Sequence, residues 1–108
     1  MANIEELNDN TFETNVLQSS KLALVDFWAP WCGPCRKMTP ILEQIQNEMA
    51  DSVKVVKVDT DKYPQLASDY GVFSLPSFLL FKNGELKEVM VGLMPKSSII
   101  NNIKKYLS

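Results

Sequence analysis

The run Val25-Asp26-Phe27-Trp28-Ala29-Pro30-Trp31-Cys32-Gly33-Pro34-Cys35-Arg36 holds both cysteines and both tryptophans of this 108-residue chain. Leu22 to Ala29 is apolar except for Asp26, and it reads as a buried strand. From Pro34 onward Met38, Ile41, Leu42, Ile45 and Met49 recur at helical spacing, which predicts a helix to about Ala50, bent at Pro40. The two cysteines therefore fall where a strand hands over to a helix N-terminus. Unpaired backbone N–H groups and the helix dipole at such a place favour a thiolate over a thiol.

Three uses compete for a Cys-x-x-Cys pair. A structural staple closing so short a loop restricts the unfolded chain by only about 2 kcal/mol. Zinc needs further ligands, and this chain has no histidine and no third cysteine. Redox chemistry matches the strand–helix context and is the reading taken here. The absence of histidine also excludes a Cys–His nucleophile of the protease kind.

Working outward, the length is that of one domain, 1–108, with room for a single core. An apolar content of 45% and a charged content of 22% are those of an ordinary globular protein, and no apolar run approaches a membrane span. A net charge of −2 gives no reason to expect nucleic acid or an anionic membrane as a partner. Met1-Ala-Asn-Ile-Glu-Glu lacks the basic start and apolar centre of a secretory signal, so a cytoplasmic protein is expected. A chain left after removal of a transit peptide would read the same, which keeps an organelle open.

Ile4 to Leu7 is read as a short edge strand. Asn8-Asp9-Asn10 offers capping side chains, with Asn10 and Glu13 spaced as a capping box ahead of a helix that buries Phe12, Val16 and Leu17. Val53 to Val58, β-branched at most positions, reads as a buried parallel strand. Asp59-Thr60-Asp61 lacks the turn glycine and later ligands of a calcium loop and is read as a helix cap. A helix from about Tyr63 to Tyr70 should end at Gly71. Ser77 to Phe81 and Leu86 to Val91 flank Asn83-Gly84, a strong hairpin signal. Ile99, Ile100, Ile103 and Leu107 mark a closing helix. This order of elements predicts an α/β fold, a mixed sheet covered on both faces.

For dithiol exchange, Cys32 is the expected attacking thiol, beside an exposed Trp31, and Cys35, one turn into the helix, the more buried resolving thiol. Gly33 lets a substrate backbone approach closely, and Pro34 suits the first helical turn. Asp26, surrounded by Leu24, Val25, Phe27 and Trp28, should be desolvated with its pKa raised, fit to move the Cys35 proton. Lys57 in the next strand is either its charge partner or a lysine that snorkels to solvent. Leu75-Pro76 precedes a strand, where proline belongs, and base rates alone make that bond trans.

Asp26-Phe27-Trp28-Ala29, Trp31-Cys32-Gly33-Pro34-Cys35, Pro40, Val58-Asp59, Pro76, Phe81-Lys82-Asn83-Gly84 and Gly92 together resemble the thioredoxin family over essentially the whole chain. The resemblance implies a central five-stranded sheet flanked by four helices. It also implies a cis Leu75–Pro76 bond packed against the cysteines and a substrate surface that includes Trp31, Leu75, Pro76 and Gly92. Two departures stand out. Phe73 puts an aromatic beside the expected substrate groove, where family members often carry a basic residue near this position. Pro95 stands where a serine-like cap often opens the last helix, so that helix is expected to begin with Pro95.

The function so implied is a general protein-disulfide reductase. Cys32 attacks a substrate disulfide, and Cys35 resolves the mixed disulfide to leave a redox-active Cys32–Cys35 disulfide, with no other cofactor and no metal. A separate thioredoxin reductase must return the electrons, because the chain has no nucleotide-binding fingerprint. Disulfide-containing proteins are the expected substrates, and a monomer the expected state. The competing readings are an oxidase or isomerase of the same fold, and a redox-independent binding subunit that uses the Trp31–Pro76–Gly92 surface.

Overall fold

Alternation along the central strands sorts the core into two layers, and the computed structural model, which describes residues 4–107, follows that sorting. The strands are β1 (Glu5–Leu7), β2 (Leu22–Trp28), β3 (Val53–Asp59), β4 (Ser77–Lys82) and β5 (Glu85–Val91), in the spatial order β1-β3-β2-β4-β5. The β1–β3 and β2–β3 pairs are parallel, and β2–β4 and β4–β5 antiparallel, giving the expected mixed α/β sheet. Leu22 and Leu24 of β2 pack with Val53 and Val55 of β3 against α1 (Gly33–Met49) and α3 (Lys96–Lys104). Ala23, Val25 and Phe27 point the other way, packing with Val56 and Val58 against Phe12, Val16 and Ala67 of α2 (Pro64–Asp69). By the same alternation Asp26 and Lys57, register partners in β2 and β3, belong to the face that α1 covers.

The hairpin forms where expected, with Asn83 at φ 53° and Gly84 at φ 80°, the pair of positive angles a two-residue turn demands. A side chain at Gly84 would meet the Leu17 carbonyl oxygen at 2.8 Å, so the hairpin tip and the segment before β2 are in backbone contact. Gly71 is left-handed just past α2, again as expected.

Four local expectations are corrected. The first helical segment is not an α-helix but a π-helical turn, Glu13–Leu17, closed by the Gln18 N–H donating to the Glu13 carbonyl at 3.0 Å. It is confined at its far end by the Gly84 contact, and the sheet is thus flanked by three α-helices and this turn. The Asn10–Glu13 capping box does not form either: Phe12, at the N-terminal flank, carries no side-chain cap, and Asn8 Oδ1 instead accepts from the N–H groups of Asn10 and Thr11 in the turn ahead. Asp59 does not cap α2, which opens at Pro64 without a side-chain cap; its Oδ1 instead accepts from the Asp61 and Lys62 N–H groups. Pro95 lies just outside α3, with ψ 152° in the extended region, so Lys96 is the first helical residue.

Candidate functional site

Ala29 ends the apolar run of β2, and Cys32 becomes the N-cap of α1 with φ −88° and ψ 105°. Gly33 and Pro34 fill the first two helical positions, where proline's missing donor is not needed. Cys32 and Cys35 are joined in a disulfide, their Cα atoms 5.3 Å apart. The Cys35 N–H donates to Cys32 Sγ at 3.2 Å. One of the free backbone donors of the helix end is therefore aimed at the first sulfur. Burial does not divide the two thiols as expected: Cys32 is 4% and Cys35 3% exposed. What separates them is this donor, which serves Cys32 alone.

Beneath the disulfide lies a cavity of about 70 Å³ lined by Ile4, Asp26, Trp28, Cys35, Arg36, Thr39 and Lys57. It puts Asp26 and Cys35 on one partly open space large enough to hold water. Asp26 is buried, and its Oδ1 has no hydrogen-bond partner. Burial pushes its pKa from an ordinary 3.8 up to about 7, against a smaller downward pull from the Lys57 charge. Lys57 acts on Asp26 through that charge and leaves Oδ1 uncapped, because its ammonium sits over the Trp28 ring, 5.2 Å from the centroid. The two sequence readings of Lys57 thus merge: it is a distant charge partner, drawn aside by an aromatic face.

The outer surface of the site comes from three loops. Trp31 is 68% exposed and steadied by its indole N–H, which donates to Asp61 Oδ1 at 3.1 Å. Leu75 packs against Cys32, Cys35 and Ala29. The Leu75–Pro76 bond is cis, against the base rate and as the family resemblance implies. Pro76 is buried, and its carbonyl accepts from the Gly92 N–H at 2.9 Å, which ties the β4 entry to the loop after β5. Phe73 is 86% exposed and stands clear of both core layers.

Reading the sequence alone overlooked Arg36, Thr39 and Asp61. Arg36 donates through Nη1 to the Pro30 carbonyl at 2.7 Å and lines the cavity. Its spacing carried the signal, since a residue four beyond Cys32 lies one turn along the same helix face. Asp61 was weighed only as part of an acidic turn. Among the described residues no group of three or more histidine, cysteine or acidic side chains could hold a metal ion.

A family model described as Thioredoxin matches residues 3–105. The chain is 47% identical over 102 residues to a chloroplastic M-type thioredoxin of Chlamydomonas reinhardtii, covering 94% of this chain and 73% of that protein. It is 48% identical over 101 residues to thioredoxin 1 of Synechococcus elongatus, covering 94% of each. Against thioredoxin 1 of a Nostoc species the identity is 43% over 107 residues, with 99% of this chain and 100% of that protein covered.

Proposed function

The chain belongs to the thioredoxin family, whose members are protein-disulfide oxidoreductases with the redox disulfide built into the protein, and on that premise we propose that it is a general protein-disulfide reductase in which Cys32 attacks and Cys35 resolves. The Cys32 thiolate bonds to one sulfur of a substrate disulfide and expels the other as a thiolate, which takes up a proton. Cys35 then gives up its proton toward Asp26, attacks Cys32 Sγ, and releases the second substrate sulfur reduced. Two electrons pass to substrate, and the Cys32–Cys35 disulfide remains.

The observation that carries this reading is the shared cavity. A carboxyl poised near neutrality and the second cysteine line one cavity, while the first cysteine receives a backbone donor at a helix N-cap. A carboxylic group titrating near working pH can both accept and return the Cys35 proton. Exposed Trp31 and Phe73, with half-buried Leu75 and Gly92, offer a mostly apolar platform suited to extended polypeptide of varied sequence.

The partners in this reading are disulfide-containing proteins and a separate thioredoxin reductase, with the chain acting as a monomer. The location is the cytoplasm or the lumen of an organelle. Support comes from the cyanobacterial and chloroplastic relatives, and among the described residues no helix is long and apolar enough to cross a membrane.

Trapping tests the order of attack. After incubation with an oxidised protein, Cys35→Ser should accumulate stable mixed disulfides through Cys32, and Cys32→Ser almost none, as read by mass spectrometry. Equal trapping by the two variants would overturn the assignment. Insulin reduction coupled in turn to a pyridine-nucleotide-dependent and a ferredoxin-dependent reductase identifies the electron source.

A further inference from the structure

The cavity that Asp26 and Cys35 line extends away from the dithiol toward one edge of the sheet. Its wall includes Ile4, the residue just before β1. The sheet runs β1-β3-β2, so Ile4 and Asp26 are separated by about two strand spacings, roughly 10 Å. Lys57 of β3, the register partner of both Glu6 and Asp26, lines the stretch between, and its ammonium is drawn over the Trp28 ring. Among the described residues no strand lies beyond β1, so the Ile4 end of the cavity is at the sheet edge. Asp26, Trp28, Cys35, Arg36, Thr39 and Lys57 each bring a side-chain nitrogen, oxygen or sulfur atom to the wall. Ile4 brings none, and it is buried in the same core layer as Leu24, Met38 and Val55.

We propose that Ile4 is a positioning residue for the proton transfer: its side chain walls the Asp26–Cys35 cavity at the sheet edge and keeps bulk water from the carboxyl. The inference rests on the reading that Asp26 takes the Cys35 proton. Burial is the larger influence on Asp26 and outweighs the Lys57 charge, so a wall that admitted water would leave Asp26 a weaker base. The charged groups around the cavity come from three elements. Lys57 of β3 and Arg36 of α1 line it, while Phe78 of β4, opposite Asp26 in register, is uncharged. On β1, Glu6 beside Lys57 is exposed, and Glu5 pairs with Lys54 at 3.8 Å. These groups set the local charge, whereas Ile4 sets the access of water. A strand of three residues, paired with β3 alone, thus carries one wall of the proton-transfer site.

The Asp26 carboxyl is titrated by carbon-13 NMR in the oxidised protein, where no thiol titrates, with Asp26→Asn identifying its signal. Ile4→Ala should move the Asp26 midpoint down by about 1 pH unit. Ile4→Val and Ile4→Thr share one shape and differ by a hydroxyl, so a loosened strand would move both alike. Ile4→Thr should lower the midpoint and Ile4→Val hardly change it. Leu7→Ala, which trims β1 in the opposite core layer, should leave the midpoint in place. In single turnovers of a peptide mixed disulfide on Cys32, the pH profile of release should follow the NMR midpoint. Above that midpoint the release rate in Ile4→Ala should fall by about threefold, since a weaker base removes the Cys35 proton less well. An Asp26 midpoint unmoved in both Ile4→Ala and Ile4→Thr overturns the role of Ile4, as does an equal shift in Leu7→Ala. A release profile identical in the parent and Asp26→Asn defeats instead the reading that Asp26 takes the proton, so the two failures are told apart.

Discussion

Asp26 in the middle of β2 and Asp59 at the end of β3 are 4% and 3% exposed, yet their surroundings differ completely. Asp59 Oδ1 accepts from two backbone N–H groups, those of Asp61 at 2.9 Å and Lys62 at 3.4 Å. Asp26 Oδ1 accepts from nothing, and the residue lines a cavity shared with Cys35. A buried carboxylate with backbone donors holds a turn together. A buried carboxylate without them destabilises the folded state whenever it is charged, and such a group persists where its proton is used. Depth of burial is therefore a poor guide to function, and hydrogen-bond satisfaction a better one.

Removing the charge at Asp26 sharpens this contrast most. The folded pKa near 7 lies above the ordinary 3.8, so the folded state holds its proton longer than the unfolded chain does. The resulting destabilisation is absent at low pH, grows as pH rises through the unfolded value, and levels off above the folded one. Asp26→Asn should accordingly be more stable than the parent by about 2–4 kcal/mol at mildly alkaline pH, and by almost nothing in strong acid. Urea titrations at both extremes check the sign. The same variant should prolong the mixed disulfide by about tenfold or more, since Cys35 loses its proton acceptor. A gain that does not depend on pH would remove the electrostatic explanation.

Asp59 should behave in the opposite sense. Asp59→Ala leaves the Asp61 and Lys62 N–H groups without their acceptor and should lose about 1–2 kcal/mol at neutral and alkaline pH alike. Asp59→Asn, which keeps a side-chain oxygen, should lose less. Neither should change the lifetime of the mixed disulfide. If Asp59→Ala were as stable as the parent and Asp26→Asn no more stable, the two carboxylates would be equivalent and the comparison would fail.

Much of this was legible in the residues. An acid between Leu24, Val25, Phe27 and Trp28 has no solvated face available, so the burial of Asp26 followed from β2 alone. The hairpin followed from Asn83-Gly84, and the α1 core face from the spacing of Met38, Leu42 and Ile45. What stayed hidden depends on distances between segments. Lys57 is opposite Asp26 in register, but its preference for the Trp28 face is a three-dimensional choice between a charge and a ring. The Glu13–Leu17 segment has ordinary helical spacing, and only its contact with the hairpin tip shows that it is confined. Asn8 and Asn10 are equivalent as capping letters, and geometry alone shows that Asn8 Oδ1 takes the N–H groups of the turn while the helical segment is left without a side-chain cap. The cis Leu75–Pro76 bond was invisible to base rates and came only with the family likeness.

The smallest expected effect belongs to a third carboxylate, Asp61, two residues past Asp59 and exposed. Its backbone N–H serves Asp59, while its own side chain reaches out to accept from the Trp31 indole at 3.1 Å. A hydrogen bond at the surface contributes little to stability because water replaces it on either side, so Asp61→Ala should stay within about 0.5 kcal/mol of the parent. Its consequence falls instead on Trp31, which has no other anchor at its polar edge and presents its ring beside Cys32. Loosening that ring adds an ordering cost each time a substrate docks and leaves the sulfur chemistry untouched. For Asp61→Ala, KM for an oxidised protein substrate should therefore rise by about twofold, with kcat unchanged. Steady-state kinetics separate these terms, and Trp31 fluorescence anisotropy in a Trp28→Phe background reports the ring directly. If kcat fell while KM held, Asp61 would act on the dithiol itself, and satisfaction of a carboxylate would no longer sort the acids of this fold by what they do.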